Sequence, residues 1–346
     1  MLRFRGWPGR RRVALALVAA GALIGVAATA SAATRSHAPT AKSKASLTTL
    51  RVVFDWPGID FEAVPLVAGN AQGFYKKVGL NVEVVIPPTT STTVKMLAVG
   101  KGDIGFDTTT DVVFAQAAGI DVKSIANYSQ DNNWGLVAAP GKRIDLKSLK
   151  GKSIGIFTDS WTKAMMPYVL RAAGLSASDV KQPIFSSDDI APMLAGKIDL
   201  ATNTVNYAIA QVQSATGKRP SVLLATKFGA PNVPIWVYTA MSSWLAKHGS
   251  EAKAFLSATK KAFAWSIAHP SAAVDAYLAA YPKIGGTKKY SLSGWQATIP
   301  ALGNPSSLLV QRKSEWTAVV QALKSVKLLS KPLPASRYYT NAYLGH

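Results

Sequence analysis

The stretch MLAVGKGDIGFDTTT at residues 96–110 is echoed at residues 193–204 by MLAGKIDLATNT. Both read Met-Leu-Ala, then Gly-Lys, one residue, Asp, a short apolar run and a cluster of Thr and Asn. A glycine behind an apolar helical face marks a helix end, and the apolar run that follows marks a strand. Thr and Asn at the strand's end are residues whose side chains cap a following helix. Each copy therefore predicts a helix, a glycine stop, a strand and a second, capped helix. Ligands of open α/β sheets sit beyond the carboxyl ends of strands, where unpaired helix N–H groups also point. Two such blocks facing one another would line a cleft from both sides.

The flanking sequence extends each block. TLRVVFDW predicts a strand ending near Asp55, followed by a helix over about 62–77 that Gly79 stops, and the strand NVEVVI closed by Pro87 and Pro88. Thr89 to Thr93 cap a helix ending at Gly100, the strand DIGF follows, Thr108 to Thr110 cap a helix through Ala118, and DVKSIANY is a further strand. The series then restarts with WGLVAAP and KSIGIF; Asp159 and Ser160 cap a helix to about Ala173, and further helices are predicted over 188–194 and 206–214. SVLLAT and PIWVYTA close this second block, and beyond Ser242 the pattern is mainly helical, with amphipathic stretches at 251–268, 272–280 and 313–326. Alternating strands and helices define an α/β chain with mostly parallel sheets flanked by helices.

At 346 residues the chain exceeds one ordinary core, so two lobes are expected. The first 32 residues carry Arg3, Arg5 and Arg10 to Arg12, an apolar run over 13–28 and the triplet Ala30-Ser31-Ala32, which is the order of a secretory signal peptide cut after Ala32. The triple arginine also suits twin-arginine export. Residues 33–48, rich in Ala, Ser, Thr and Lys, read as a flexible tether. Export to the periplasm or cell surface is thus expected. With no cysteine in the chain there is neither a disulfide nor a lipid-anchor cysteine, so the core alone must hold the fold.

The formal charge is +21, and removal of residues 1–32 takes five arginines and no acid, leaving 34 basic and 18 acidic side chains. The lysines are dispersed and no nucleic-acid motif is present, so an anionic surface is the expected partner of this charge and nucleic acid is not. The four histidines, His37, His248, His269 and His346, have no zinc-ligand spacing. No Ser/His/Asp or Cys/His set and no phosphate loop can be assembled. These absences predict a chain that is not an enzyme, with no catalytic residue, no metal and no cofactor.

FDWPG (residues 54–58), AQGFYKKVGLNVEVV (71–85), MLAVGKGDIGF (96–106), DLKSLKGKSIGI (145–156) and APNVPIWVYTA (230–240) together resemble the solute-binding proteins of ABC importers, in the branch for thiamine-precursor pyrimidines, sulfonates, taurine and nitrate. The resemblance implies a type II periplasmic-binding-protein fold of two lobes. Lobe one would be residues 49–131 plus 241–346, with the C-terminal helices packed on it, and lobe two residues 132–240. It implies a monomer that closes on a small molecule and presents the closed shape to a membrane permease. Thiamine pyrimidine synthase shares this fold, but the chain lacks the cysteines and the cleft histidine associated with that enzyme.

Asp55-Trp56 resembles the pyrimidine-binding branch, which points to a formylaminopyrimidine or hydroxymethylpyrimidine as ligand, with a small sulfonate, taurine or nitrate as the alternative. The chain departs from that branch where its histidine would fall, near Ala63, and where Ile235 follows Pro234 in place of an acid. Trp56 and Trp161 offer flat faces for stacking, and Asp55 or Asp159 could accept from a ring amino group. Tyr207 and Trp236 would add walls, and Asn203 and Asn206 would supply donors and acceptors. Thr109, Thr110 and Ser160 sit at helix starts, where free N–H groups would suit an anion. An anionic ligand would need those helix starts and a basic side chain in the cleft, whereas inward-facing carboxylates and indoles would suit the ring. Trp244, Trp265, Trp295 and Trp316, at helical positions, are expected in the core.

Overall fold

The computed structural model describes residues 46–345. The expected signal peptide and nearly all of the tether lie outside the described residues.

Strand β1 (Thr48–Val53) begins with two exposed residues, Thr48 and Thr49, and is buried at Leu50, Val52 and Val53 as it approaches Phe54. It pairs in parallel with β2 (Leu80–Val85) on one side and β3 (Ile104–Thr108) on the other. Between β1 and β2 runs α1 (Val64–Ala71), shorter than predicted because a 3-10 turn at Phe61–Ala63 precedes it and Gly73 leaves it at φ +68°. Helix α2 (Thr93–Ala98) leads to β3, and α3 (Thr109–Ala117) leads from β3 to β4 (Val122–Asn127).

The second region has β5 (Trp134–Ala138), β6 (Ile156–Phe157), α4 (Ser160–Ala173), β7 (Ile184–Phe185), α5 (Ile190–Leu194), β8 (Ala201–Thr204), α6 (Val205–Thr216) and β9 (Ser221–Leu224). Strand β5 pairs antiparallel with both β8 and β9, while β6 and β7 form a separate parallel pair. Mostly parallel pairing was expected. The antiparallel β5–β9 pair follows from the path of the chain, which enters on β5 and leaves on β9 beside it.

Strand β10 (Trp236–Met241), read from sequence as closing the second block, joins the first sheet. It lies antiparallel between β3 and β4, giving the first sheet the order β2-β1-β3-β10-β4. An apolar run such as PIWVYT is buried in either sheet, so its pattern alone could not say which one it joins. The two connections between the sheets are tied to each other: the Asn132 amide donates to Asn232 Oδ1 at 2.9 Å, Asn132 Nδ2 to the Pro231 carbonyl at 3.0 Å, and Asn232 Nδ2 to Asp131 at 2.9 Å.

After β10 come α7 (Ser242–Leu245), α8 (Gly249–Ala268), α9 (Pro270–Ala280), α10 (Lys288–Thr298) and α11 (Lys313–Ser325). Helices α8 and α9 pack on α1, burying Phe255, Phe263 and Tyr277 in the core of the first sheet. Trp295 and Trp316 are buried and Trp244 and Trp265 partly so, all against the core. Helix α10, whose sequence KKYSLSGWQAT shows little apolar periodicity, packs on α6 and on the Phe61 turn. Gly294 makes that approach possible, since a Cβ there would lie 2.2 Å from the Phe61 ring.

Candidate functional site

A ladder of rings rises from the core of the first sheet. Phe54 and Phe106 stack at 4.8 Å between centroids, and Phe106 and Trp236 at 5.2 Å, because β1, β3 and β10 are neighbours in that sheet. Trp56 sits edge-on to Phe54 and Phe106 and 5.1 Å from Trp236. The ladder thus holds Trp56 and Trp236 at the mouth of a cleft between the two sheets. The cavity within it measures about 100 Å3.

Of the residues predicted from sequence, Asp55, Trp56, Asp159, Trp161, Asn203, Tyr207 and Trp236 line this cleft. Thr109, Thr110, Ser160 and Asn206 do not. The Thr109 hydroxyl donates to the Pro234 carbonyl at 2.9 Å, tying α3 to the segment entering β10. Thr110 and Ser160 bond each other at 2.6 Å, joining the starts of α3 and α4. Asn206 donates to Glu62 Oε1 at 2.7 Å and to Thr298 at 3.0 Å, and accepts from Asn133 at 3.1 Å. Thr110, Ser160 and Asn206 thus connect the two regions around the cleft, and Thr109 braces the segment that enters β10, instead of lining it.

Sequence reasoning passed over Asp60, Glu62, Thr90, Trp134, Phe157 and Ile235, which also line the cleft. A signal for two of them existed: Asp60 and Glu62 interrupt the apolar run of IDFEAV, and an acid inside an apolar run needs a structural reason. Here Asp60 accepts from the Glu62 amide at 3.0 Å and so starts the 3-10 turn that turns Glu62 toward α6. Ala63, near the branch's histidine position, is buried in that turn.

The chemistry of the lining is lopsided. Four carboxyl groups face the cleft, from Asp55, Asp60, Glu62 and Asp159, and among the described residues no Lys, Arg or His lines it. Asp107 and Asp111 lie behind, with a carboxylate oxygen of each and one of Asp55 all within 4.8 Å of one another. Both Asp55 oxygens and Glu62 Oε2 are buried without a hydrogen-bond partner in the protein, as are the indole N–H groups of Trp161 and Trp236. Unpartnered acceptors and donors therefore line one cavity.

Burial, reinforced by Asp111, Asp107 and Asp159, holds the Asp55 carboxyl well above the usual carboxylate range. Burial and the neighbouring Asp60 do the same to Glu62 against the opposing bond from Asn206. Asp60 is pushed up to about 7 and Asp159 to about 6, both by burial first.

Some of the N–H groups at the helix starts nearest the cleft are taken by the chain itself. At α3 the Thr108 hydroxyl accepts from the Asp111 amide at 3.1 Å and the Asp111 carboxylate accepts from the Thr108 amide at 3.2 Å, a reciprocal cap. At α4 Asp159 accepts from the Thr162 amide at 2.6 Å. At α6 the Val205 amide donates to the Asn133 carbonyl and the Thr204 amide to Asn203 Oδ1, both at 2.9 Å.

Two α/β regions closing on a lined cleft define a protein of the periplasmic-binding-protein fold. The chain belongs to the NMT1/THI5-like family, whose model matches residues 60–273. It is similar in structure to the periplasmic aliphatic sulphonate binding protein SsuA of Escherichia coli, at a TM-score of 0.65 and 17% identity, covering 84% of this chain and 92% of that one. It is similar also to the alkanesulfonate-binding protein SsuA of Xanthomonas axonopodis pv. citri bound to MOPS, at 0.64 and 16%, covering 86% and 100%. In sequence it is 24% identical over 242 residues to the 4-amino-5-hydroxymethyl-2-methylpyrimidine phosphate synthase of Aspergillus parasiticus, covering 67% of this chain and 70% of that protein.

That relative overturns the expectation that the chain is not an enzyme, since it and further curated relatives are named as synthases. The expectation rested on missing cysteines and histidines. Carboxyl groups that titrate at about 6 and about 7, as Asp159 and Asp60 do, are themselves proton carriers near neutral pH, and a search for triads and thiols does not see them.

Proposed function

We propose that this chain captures a small amino-bearing heteroaromatic of the pyrimidine class in the cleft between its two sheets, as the extracytoplasmic solute-binding protein of an ABC importer. One observation carries the choice of ligand: indoles and partnerless carboxyls line the cleft and no basic side chain does. A flat ring stacks on Trp56 and Trp236, its amino group donates to Asp55, and its ring nitrogens accept from the indole N–H groups. A sulfonate or nitrate is held best by a cation together with helix N–H groups, and here, among the described residues, no cation lines the cleft and the Asp111 and Asp159 side chains cap α3 and α4.

In this reading lobe one is residues 46–128 with 236–345, lobe two is residues 134–224, and the segments between them, joined by Asn132 and Asn232, are the hinge. Closure brings Asn206 to Glu62 and Thr110 to Ser160, and a ligand favours the closed form by touching both walls. The leader over residues 1–32 delivers the protein across the membrane, where it meets a permease as a monomer.

The test is titration calorimetry with 4-amino-5-hydroxymethyl-2-methylpyrimidine, taurine and nitrate, run on the natural protein and on Trp56→Ala. Binding of the pyrimidine alone, weakened at least tenfold by Trp56→Ala, is expected. Binding of taurine or nitrate alone would refute the reading. Because curated relatives are named as synthases, the bound ring is recovered from the same samples and its mass measured, so that any chemical change is seen.

A further inference from the structure

We infer that the cleft selects its ligand by charge, taking nitrogen heteroaromatics as cations and rejecting their phosphate esters. The inference rests on the reading of the cleft as a ring-binding site and adds the charge and the phosphorylation state of what enters it.

Three independent features point the same way. The first is the wall: Asp55, Asp60, Glu62 and Asp159 line the cavity and, among the described residues, no basic side chain does, although the whole chain carries 39 Lys and Arg against 18 Asp and Glu. A basic protein that keeps every base out of its cleft has a field there opposite to that of its bulk. The second is the layer behind the wall, where Asp107 and Asp111 stand close to Asp55. Asp107 is bound only by the Thr239 hydroxyl and leaves Oδ1 without a partner. Burial and mutual proximity favour the protonated form of these carboxyls in the empty cleft, and a positive ring nitrogen beside Asp55 supplies the countercharge that lets one of them ionise and pair with it, whereas a phosphate dianion supplies none and, among the described residues, finds no cation in a poorly hydrated site. The third is the aromatic lining: Trp56, Trp161, Trp236 and Tyr207 present π faces, which attract cations.

Carboxyls also stand where a phosphate would meet helix N–H groups: Asp111 caps the start of α3 and Asp159 that of α4. The relative from Aspergillus parasiticus is named for a pyrimidine phosphate. The lining of the present cleft fits the unphosphorylated ring.

Two probe pairs test this on the full-length chain by quenching of tryptophan fluorescence and by calorimetry. N-methylpyridinium and benzenesulfonate are aromatic rings of opposite fixed charge. 4-Amino-5-hydroxymethyl-2-methylpyrimidine and its phosphate ester differ in the phosphate alone. We expect N-methylpyridinium to bind at least tenfold tighter than benzenesulfonate, and the free alcohol at least a hundredfold tighter than the ester. Adding Asp60→Asn and Glu62→Gln together narrows the first ratio. Benzenesulfonate binding as well as the pyridinium, or the ester binding as well as the alcohol, overturns the inference. So does ester binding that appears only with magnesium, which would put a metal ion among Asp55, Asp107 and Asp111. If N-methylpyridinium binds and neither pyrimidine does, the choice of ring fails while the charge selection stands. If N-methylpyridinium does not bind at millimolar concentration, the charge selection fails.

Discussion

Asp103 and Asp199 occupy the same place in the two copies of the doubled phrase and make the same contact. Asp103 accepts from the Arg51 amide of β1 at 2.8 Å, and Asp199 from the Ser153 amide at 2.8 Å, each clamping a neighbouring segment beside the strand about to begin. Gly100 and Gly196 end the helix before each clamp in the left-handed region, at φ +71° and +69°. Five residues past the clamp the copies part. The first has Thr108 and, three residues on, Asp111, which close the start of α3. The second has Thr204 and Tyr207. Thr204 makes no side-chain cap, and Tyr207, unable to cap, turns into the cleft and accepts from Gln211 at 2.8 Å. Between them, Thr110 and Asn206 stand at matching offsets and each reaches the opposite region, Thr110 to Ser160 and Asn206 to Glu62. The scaffold is duplicated, and the difference lies in the first turn of the helix that follows.

The largest effect separating the copies is expected at Asn206. Asn206→Leu removes the donor to Glu62 and leaves that buried acid with no side-chain partner, as well as breaking the bonds to Thr298 and Asn133. We expect urea unfolding to lose about 2–3 kcal/mol, the cost of stranding buried polar groups. Thr110→Val, its counterpart, should cost about half as much, because Thr108 still reaches Ser160 at 2.9 Å. Equal losses would mean that the two crossings are energetically alike.

The caps come next. Thr108→Val should cost about 1–2 kcal/mol, the scale of a lost side-chain cap, while Thr204→Val should fall below about 0.5 kcal/mol because no cap is lost. A Thr204 loss as large as that of Thr108 in the same urea titration would show that the second copy is capped in solution after all.

The pH dependence of stability should differ in sign between the cleft and the clamps. Asp60 titrates at about 7 in the folded chain and near 4 when unfolded, so the folded state holds the proton more firmly between those values. Its contribution is fully present below about pH 4 and is lost as pH rises through about 7. The melting temperature of the natural protein should therefore fall from pH 5 to pH 8, and Asp60→Asn, which can still accept from the Glu62 amide, should flatten that fall. An unchanged slope would mean that the cleft carboxyls are not held protonated by burial.

The alternation of strands and helices was legible because burial on one face imposes a period, and both glycine stops and the Thr108 cap were legible because they are local. What could not be read was whatever depends on distant partners. The placement of β10 in the first sheet is one case, since an apolar strand suits either core. Helix α10 is another: it is held by α6 and the Phe61 turn more than by its own pattern. In the site, Asp55, Trp56 and Trp236 were found at strand ends, where geometry puts side chains in the cleft. Asn206, expected there as a donor and acceptor, and Ser160, expected at a helix start, instead bond across to Glu62 and Thr110, which only the tertiary arrangement brings within reach. Glu62 was passed over because it was read as the first residue of one long helix, and Asp60, just before it, belonged to no element.

The smallest expected effect lies in the clamps, where the copies should agree. Asp199 accepts from the Ser153 amide and hydroxyl and from Lys152, and these bonds hold its carboxyl down at about 2. Its side chain is 39% exposed, so water screens the ion pair and Asp199→Asn should cost under about 1 kcal/mol at pH 7. A depressed folded value means the contribution is present above the unfolded value near 4 and lost as pH falls through about 2. The gap between variant and natural protein should therefore close between pH 4 and pH 2 in acid unfolding. Asp103→Asn should cost somewhat more at pH 7, because Asp103 is only 14% exposed and takes two bonds from the Arg51 guanidinium besides the amide. If instead Asp199→Asn were the costlier, the clamp would depend on the Ser153 amide bond more than on charge, and the two copies would share a hydrogen bond and not an ion pair as their common element.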